Sequence, residues 1–150
     1  MTPRNLEIRF IAPEELGGPL SLLEGFMRDG EPLPTLFVGQ LARAVERGDL
    51  EVLVAFTKPE KRSVGAVVLA FRHSVSLGAS FASIEDLYVR PDARRRGVSR
   101  ALFKAVEERC KERGISYVEV QTDDGAAPFY KALGYESEEG VRVLSRSYAF

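Results

Sequence analysis

The stretch Ile84-Glu85-Asp86-Leu87-Tyr88-Val89-Arg90-Pro91-Asp92-Ala93-Arg94-Arg95-Arg96-Gly97-Val98-Ser99-Arg100-Ala101-Leu102 decides the reading of this chain. An apolar run rich in β-formers stops at Pro91, an arginine-rich turn follows, and a helix pattern opens after Gly97. A strand, a tight Gly-containing loop and a helix N-terminus in series leave several backbone N–H groups aimed at one spot. Such a spot holds anions, and a pyrophosphate suits it. Strand–loop–helix order alone is weak evidence, because every βαβ unit has it.

Composition bounds the alternatives. The chain has 150 residues, 45% of them hydrophobic and 29% charged, as in one ordinary globular domain. Lys and Arg total 21 against 22 Asp and Glu, so no general basic footprint argues for nucleic acid. A solvated basic turn is the plain alternative for Arg94, Arg95 and Arg96. No apolar run reaches the roughly 18 residues of a membrane span. Residues 1–10 mix acidic and basic side chains without an apolar signal core, and a single cysteine, Cys110, excludes an internal disulfide. The expectation is a cytoplasmic protein, with neither nucleic acid nor membrane as a partner. Cys110 falls on a predicted apolar helix stripe, as a buried structural thiol would.

Leu6, Ile8 and Phe10 alternate with charged residues and predict a first strand ended by Pro13. Helices are predicted over residues 19–29 and 35–47. Strands follow at 51–57 and 64–73, joined by the polar turn 58–63, and a Ser/Gly loop at 74–80 leads to a fourth strand at 81–89. The helix after Gly97 places Val98, Ala101, Leu102, Ala105, Val106 and Cys110 on one face and ends at Gly114. A fifth strand at 115–122 then pairs parallel with the fourth, as a crossover of that length requires. A short helix at 126–133 and a last strand at 141–148 complete an α/β (α+β) mixed sheet flanked by helices. The order is β-α-α-β-β-β-α-β-α-β in a single domain over residues 1–150.

Arg94-x-x-Gly97-x-Ser99, placed after Leu87-x-Val89, resembles the acetyl-CoA-binding loop of the GNAT N-acetyltransferase superfamily, whose pattern is Gln/Arg-x-x-Gly-x-Gly/Ala. Ser99 is the departure, since the family usually has Gly or Ala at that position. The resemblance implies acetyl-CoA as co-substrate. Leu87, Tyr88 and Val89 would grip the pantetheine arm along a strand edge, as an extended chain binds an edge. Backbone amides of Arg95, Arg96, Gly97, Val98, Ser99 and Arg100 would hold the pyrophosphate, with Arg94 and Arg96 adding charge. The segment Phe129-Tyr130-Lys131-Ala132-Leu133-Gly134-Tyr135 is similar to the one where the family keeps the tyrosine that protonates the departing thiolate. That implies Tyr130 as general acid, with Phe129 and Asp123 beside the cofactor; Asp123 stands where the family often has Asn.

Acetyl transfer to an amine needs the amine neutral at attack, a polarised carbonyl and a proton for the leaving thiolate. Glu85 and Asp86 are adjacent acids on the fourth strand. The pleat sends neighbours to opposite faces, so at most one faces the cofactor unless a bulge re-aims the other. Solvent-facing strand charges are the plain alternative. Residues 84–89 and Ser137-Glu138-Glu139-Gly140-Val141-Arg142 are similar to diamine and polyamine N-acetyltransferases. In those enzymes the acid matching Glu85 is the base, acting through water, and the acid matching Asp86 helps hold the cationic substrate. Residues 120–123 and 129–134 resemble aminoglycoside acetyltransferases instead. Both substrate classes are polycationic amines, which suits further acids at Asp124 and at Glu31 on the loop between the first two helices. A bulge would exchange the roles of Glu85 and Asp86. His73 is the only histidine and stands at a strand end, and no Cys/His cluster implies a metal. A homodimer is expected by analogy, and a CoA-binding module without catalysis is the competing class.

Overall fold

The structure is a computed structural model, and it describes residues 5–149. The described residues divide into two compact units, one up to Val120 and one from Gln121 onward. The first holds a five-stranded sheet in the order β1-β2-β3-β4-β5: Leu6–Phe10, Leu50–Thr57, Ser63–Ser74, Ala79–Val89 and Val118–Val120. The first four strands are successive antiparallel neighbours, and β5 lies parallel to β4. This is the mixed sheet expected from the alternation pattern and from the single crossover.

Two faces of the sheet bury different rows of side chains. Val52, Val54, Ala66, Val68 and Tyr88 pack with Leu20, Leu22 and Leu23 of helix α1, Gly17–Met27. Leu41, Ala42 and Val45 of helix α2, Thr35–Arg47, close the same face. On the other face Leu53, Val67 and Leu69 are fully buried. Helix α3, Val98–Glu112, contributes Val98, Ala101, Leu102, Phe103, Val106 and Cys110 to the core. The fit between α3 and β3 is tight at Gly65: a Cβ there would lie 3.1 Å from Val98 Cγ1 and 3.1 Å from the Tyr88 carbonyl oxygen. Farther along α3, Arg109 Nε donates to both carboxylate oxygens of Glu51 at 2.8 and 2.9 Å, tying the helix to β2.

Several expectations shift by a residue or two, and α2 matches its predicted bounds. Helix α1 begins two residues earlier than predicted and stops at Met27; Asp29 and Gly30 then take positive φ of 52° and 82°. Strand β5 is much shorter than the predicted 115–122. Its ladder runs only from Ala82↔Val118 to Ile84↔Val120, after an Ala82 N–H bond to the Tyr117 carbonyl. Pairing ends where β4 bulges at Glu85, because the extra residue breaks the register that a parallel partner would follow.

The second unit carries helix α4, Ala127–Ala132, within the span predicted for it. The last predicted strand is a correction: residues 141–148 form no strand, and Val141, Val143, Leu144 and Tyr148 are exposed. Alternating β-formers supply propensity, but a strand exists only where its N–H and C=O groups meet a partner edge.

Candidate active site

The loop singled out by the sequence takes the form that an anion site needs. A turn of 3-10 helix, Pro91–Ala93, follows β4. Arg95 then adopts φ 62° and Gly97 φ 80°, both in the left-handed region, which turns successive amides outward. The first helical bond of α3 is Ala101 N–H to the Gly97 carbonyl at 3.0 Å, so the amides of Val98, Ser99 and Arg100 precede the ladder. Arg95, Arg96, Gly97 and Arg100 are exposed, Ser99 is half-buried, and Val98 points its side chain into the core. Val98 therefore offers a ligand only its backbone. Arg94 has a structural duty as well: its Nε donates to the Val89 carbonyl at 3.1 Å, folding the guanidinium back over β4. A cleft of about 170 Å³ beside this loop is lined by Asn5, Thr57, Arg62, Asp92 and Arg96 among others, and Arg62 and Asp92 pair across it at 2.8 Å.

The strand leading into the loop has a free edge. Its β5 side is paired only through Ile84, while Asp86 to Val89 continue to pair with β3 on the other side. Leu87 and Val89 thus keep one row of backbone groups outside the sheet ladder. The Tyr88 side chain is committed elsewhere. It lies buried on the α1 face with its ring stacked on Phe26 at 3.3 Å between centroids. Its hydroxyl is buried without a well-formed hydrogen bond, and burial pushes its pKa up against the opposing charges of Arg94 and Arg90.

The bulge decides where the two acids point. Asp86 pairs with Val68 and Ile84 with Leu69, so Glu85 is the inserted residue, opposite no partner. Asp86 therefore shares the face of Val68 and Tyr88, under α1. Arg72 lies on that face too, two steps beyond Ala70, and its Nη2 sits 2.6 Å from Glu85 Oε1. Both carboxylates consequently address one face, the arrangement a flat pleat forbids. Glu85 is exposed and ion-paired; Asp86 is half-buried, and burial followed by the charge of Glu85 pushes its carboxyl above the ordinary range.

In the second unit, Tyr130 is half-buried on α4, edge-on to Phe129 at 5.1 Å and to Tyr135 at 5.9 Å. Burial, then the charge of Asp123, raises the Tyr130 hydroxyl. Asp123 Oδ1 accepts the Ala126 N–H at 2.8 Å and its carbonyl accepts the Ala127 N–H at 3.0 Å, so this acid starts the turn into α4. Asp124 is exposed in the same turn. Glu31 is exposed on the α1–α2 loop and pairs with Arg28 at 3.7 Å. Sequence reasoning missed Arg72, because nothing in the local pattern shows that a strand-three arginine faces the strand-four acids. His73 hydrogen-bonds Ser80 through Nδ1 at 2.7 Å on the exposed hairpin end. Burial raises the Cys110 thiol. No helix of the described residues is long and apolar enough to cross a membrane.

A parallel β4–β5 ladder that ends at Ile84, an outward-turned amide loop and a helix that follows it form the framework on which the comparison with known proteins turns. Residues 20–135 match the acetyltransferase (GNAT) family. The chain belongs to that family, and it is an N-acetyltransferase, an acyltransferase enzyme of a family that uses acetyl-CoA as co-substrate. It is similar to a glucosamine 6-phosphate N-acetyltransferase of Trypanosoma brucei brucei, 27% identical over 90% of this chain and 92% of the relative. It is also similar to a thialysine N-epsilon-acetyltransferase of Caenorhabditis elegans, 26% identical over 88% and 84% of the two chains. Among solved structures it resembles an aminoglycoside acetyltransferase from an uncultured soil metagenomic sample. That pair is 25% identical with a TM-score of 0.75, covering 95% of this chain and 99% of the other.

Proposed function

We propose that this N-acetyltransferase moves an acetyl group from acetyl-CoA directly to the primary amine of a small cationic substrate, of diamine or polyamine type. The observation that carries the reading is the β4 bulge, which turns Glu85 and Asp86 toward one face beside the free strand edge. Two acids on one face favour a cation. The similar proteins act, by their names, on thialysine, glucosamine 6-phosphate and aminoglycosides, all amines. An aminoglycoside or a protein or peptide amine is the alternative acceptor.

Acetyl-CoA supplies the acetyl group and departs as the free thiol. Amides 95–100 fit its pyrophosphate because they are outward-facing and open at a helix N-terminus. The guanidinium groups of Arg95, Arg96 and Arg100 add positive charge there, and the free edge from Leu87 to Val89 fits the pantetheine arm. The carboxylates at the bulge hold the ammonium and take its proton. Tyr130 donates a proton to the leaving sulfur, for which its raised pKa keeps it protonated through neutral pH. Phe129 and Asp123 support that tyrosine, and Asp124 and Glu31 add negative charge for a polycation. The protein is read as a single acetyltransferase domain that acts in the cytoplasm as a homodimer.

The test is a panel of amines offered with acetyl-CoA: spermidine, thialysine, glucosamine 6-phosphate, an aminoglycoside and a peptide N-terminus. The reading expects the highest kcat/KM for a diamine or polyamine and initial-rate lines that intersect, as direct transfer requires. Preference for the sugar phosphate, or parallel lines, would overturn it.

A further inference from the structure

Arg72 faces the two acids from the neighbouring strand. Its Nη2 lies 2.6 Å from Glu85 Oε1 and its Nη1 3.9 Å from Glu119 Oε1 on β5. The Tyr117 hydroxyl adds a 3.5 Å contact to the other Glu119 oxygen. Arg72 thus sits between two carboxylates that belong to neighbouring strands, β4 and β5. Glu85 has its charge balanced in this way. Asp86 does not: among the described residues no cation lies within ion-pair distance of it.

We propose that Arg72 is a positioning residue, which holds Glu85 in an ion pair and leaves Asp86 as the bulge carboxylate that takes the proton of the bound amine. The inference rests on the acetyl-transfer reading above and reverses the division of labour that the family resemblance implied. Glu85 is already engaged by a guanidinium at 2.6 Å, whereas Asp86 is half-buried with no cation beside it, and burial favours its protonated form. In the step itself an ammonium N–H bond breaks and an O–H bond forms on Asp86. The nitrogen keeps the electron pair with which it attacks the acetyl carbon. Glu85, fixed by Arg72, contributes its remaining negative charge to holding the cation.

The shared face at the bulge makes the assignment specific. Asp86 lies in register with Val68, and Arg72 lies four residues along the same row of β3. Arg72 therefore reaches Glu85 at the bulge from the same face that Asp86 occupies. Removing the guanidinium frees Glu85 to compete for the proton and for the amine.

The experiment is a double-mutant cycle with the best amine acceptor of the full-length protein, using Arg72→Ala, Arg72→Lys, Glu85→Gln and the Arg72→Ala/Glu85→Gln pair, beside Asp86→Asn. Asp86→Asn is expected to lower kcat by roughly 10²-fold or more, the scale of a lost proton acceptor. Glu85→Gln should mainly raise KM. Arg72→Ala should lower kcat by roughly two- to fivefold, the scale of an exposed ion pair. Arg72→Lys should recover most of that loss, and Arg72→Ala should add nothing once Glu85 is Gln. Independent, multiplying effects of Arg72 and Glu85, or a kcat defect confined to Glu85→Gln, would overturn the proposal. A wild-type protein that acetylates no amine refutes acetyl transfer itself. An active wild type with uncoupled Arg72 and Glu85 refutes only the role of Arg72. Asp86→Glu covers the case in which Asp86→Asn folds poorly, because a retained carboxylate should keep more turnover than the 10²-fold loss allows.

Discussion

Gly65 on β3 and Val98 at the first turn of α3 are in closest packing: a Cβ on Gly65 would stand 3.1 Å from Val98 Cγ1. Through that contact the sheet fixes the height of the helix whose N-terminus ends the anion loop. Gly65→Val should destabilise the fold by about 1–3 kcal/mol through overpacking, since the Tyr88 carbonyl on the other side cannot yield. Because the displaced element is the loop's own helix, acetyl-CoA affinity should fall as well. Chemical denaturation and a binding isotherm on the same sample check both effects. A destabilised variant that binds acetyl-CoA normally would separate the packing from the loop.

Acetyl-CoA should raise the melting temperature in a concentration-dependent way, as any ligand of the native state does. Gly97→Val should abolish the shift. Gly97 has φ 80°, a conformation in which a branched side chain is strained, and its backbone sits at the loop's centre. Thermal melts with and without ligand measure it.

Asp86 makes a prediction that needs no substrate. Its folded-state pKa lies above the ordinary carboxylate value, so the folded chain holds this proton more tightly than the unfolded chain does. Stability from this group is therefore present at low pH. It is lost as pH rises from the unfolded carboxylate value through the raised folded one. Asp86→Asn should thus melt higher than wild type near neutral pH, with the gap closing in acid. A variant that melts lower at neutral pH would show that Asp86 is a stabilising, paired acid.

Tyr130→Phe should leave acetyl-CoA affinity nearly unchanged and lower kcat by roughly 10²-fold, as for the loss of a general acid. With the hydroxyl's pKa raised, the wild-type limb that reports its deprotonation should fall on the alkaline side of an unperturbed tyrosine. A thioester with a more acidic leaving thiol should narrow the gap between variant and wild type. Normal turnover by the variant would make Tyr130 a packing residue, as its edge-on contacts with Phe129 and Tyr135 also allow.

Much of the fold is legible in the residues because each element carries its own punctuation. Pro34 and Gly48 bracket α2, and Gly97 and Gly114 bracket α3, so those helices fall where they were predicted. Leu53, Val67 and Leu69 show which strands are central. What was not legible depends on pairing across the sheet. The length of β5 is set by where β4 bulges, and the absence of a strand at 141–148 depends on partners no local pattern reveals. In the site, the loop could be read from Arg94, Gly97 and Ser99, and the acids could be named. Their shared face could not, because one unpaired residue at position 85 flips the register, and a register shift is a property of two strands. Arg72 was invisible for the same reason.

The most direct measurement of the central claim is thiol release from acetyl-CoA by the wild-type protein with a polyamine acceptor, with the acetylated product quantified in parallel. The account predicts saturable release in both substrates, one amide formed per thiol, and release reduced to background by Gly97→Val. A folded protein that releases no thiol above background with any amine of the panel would contradict it.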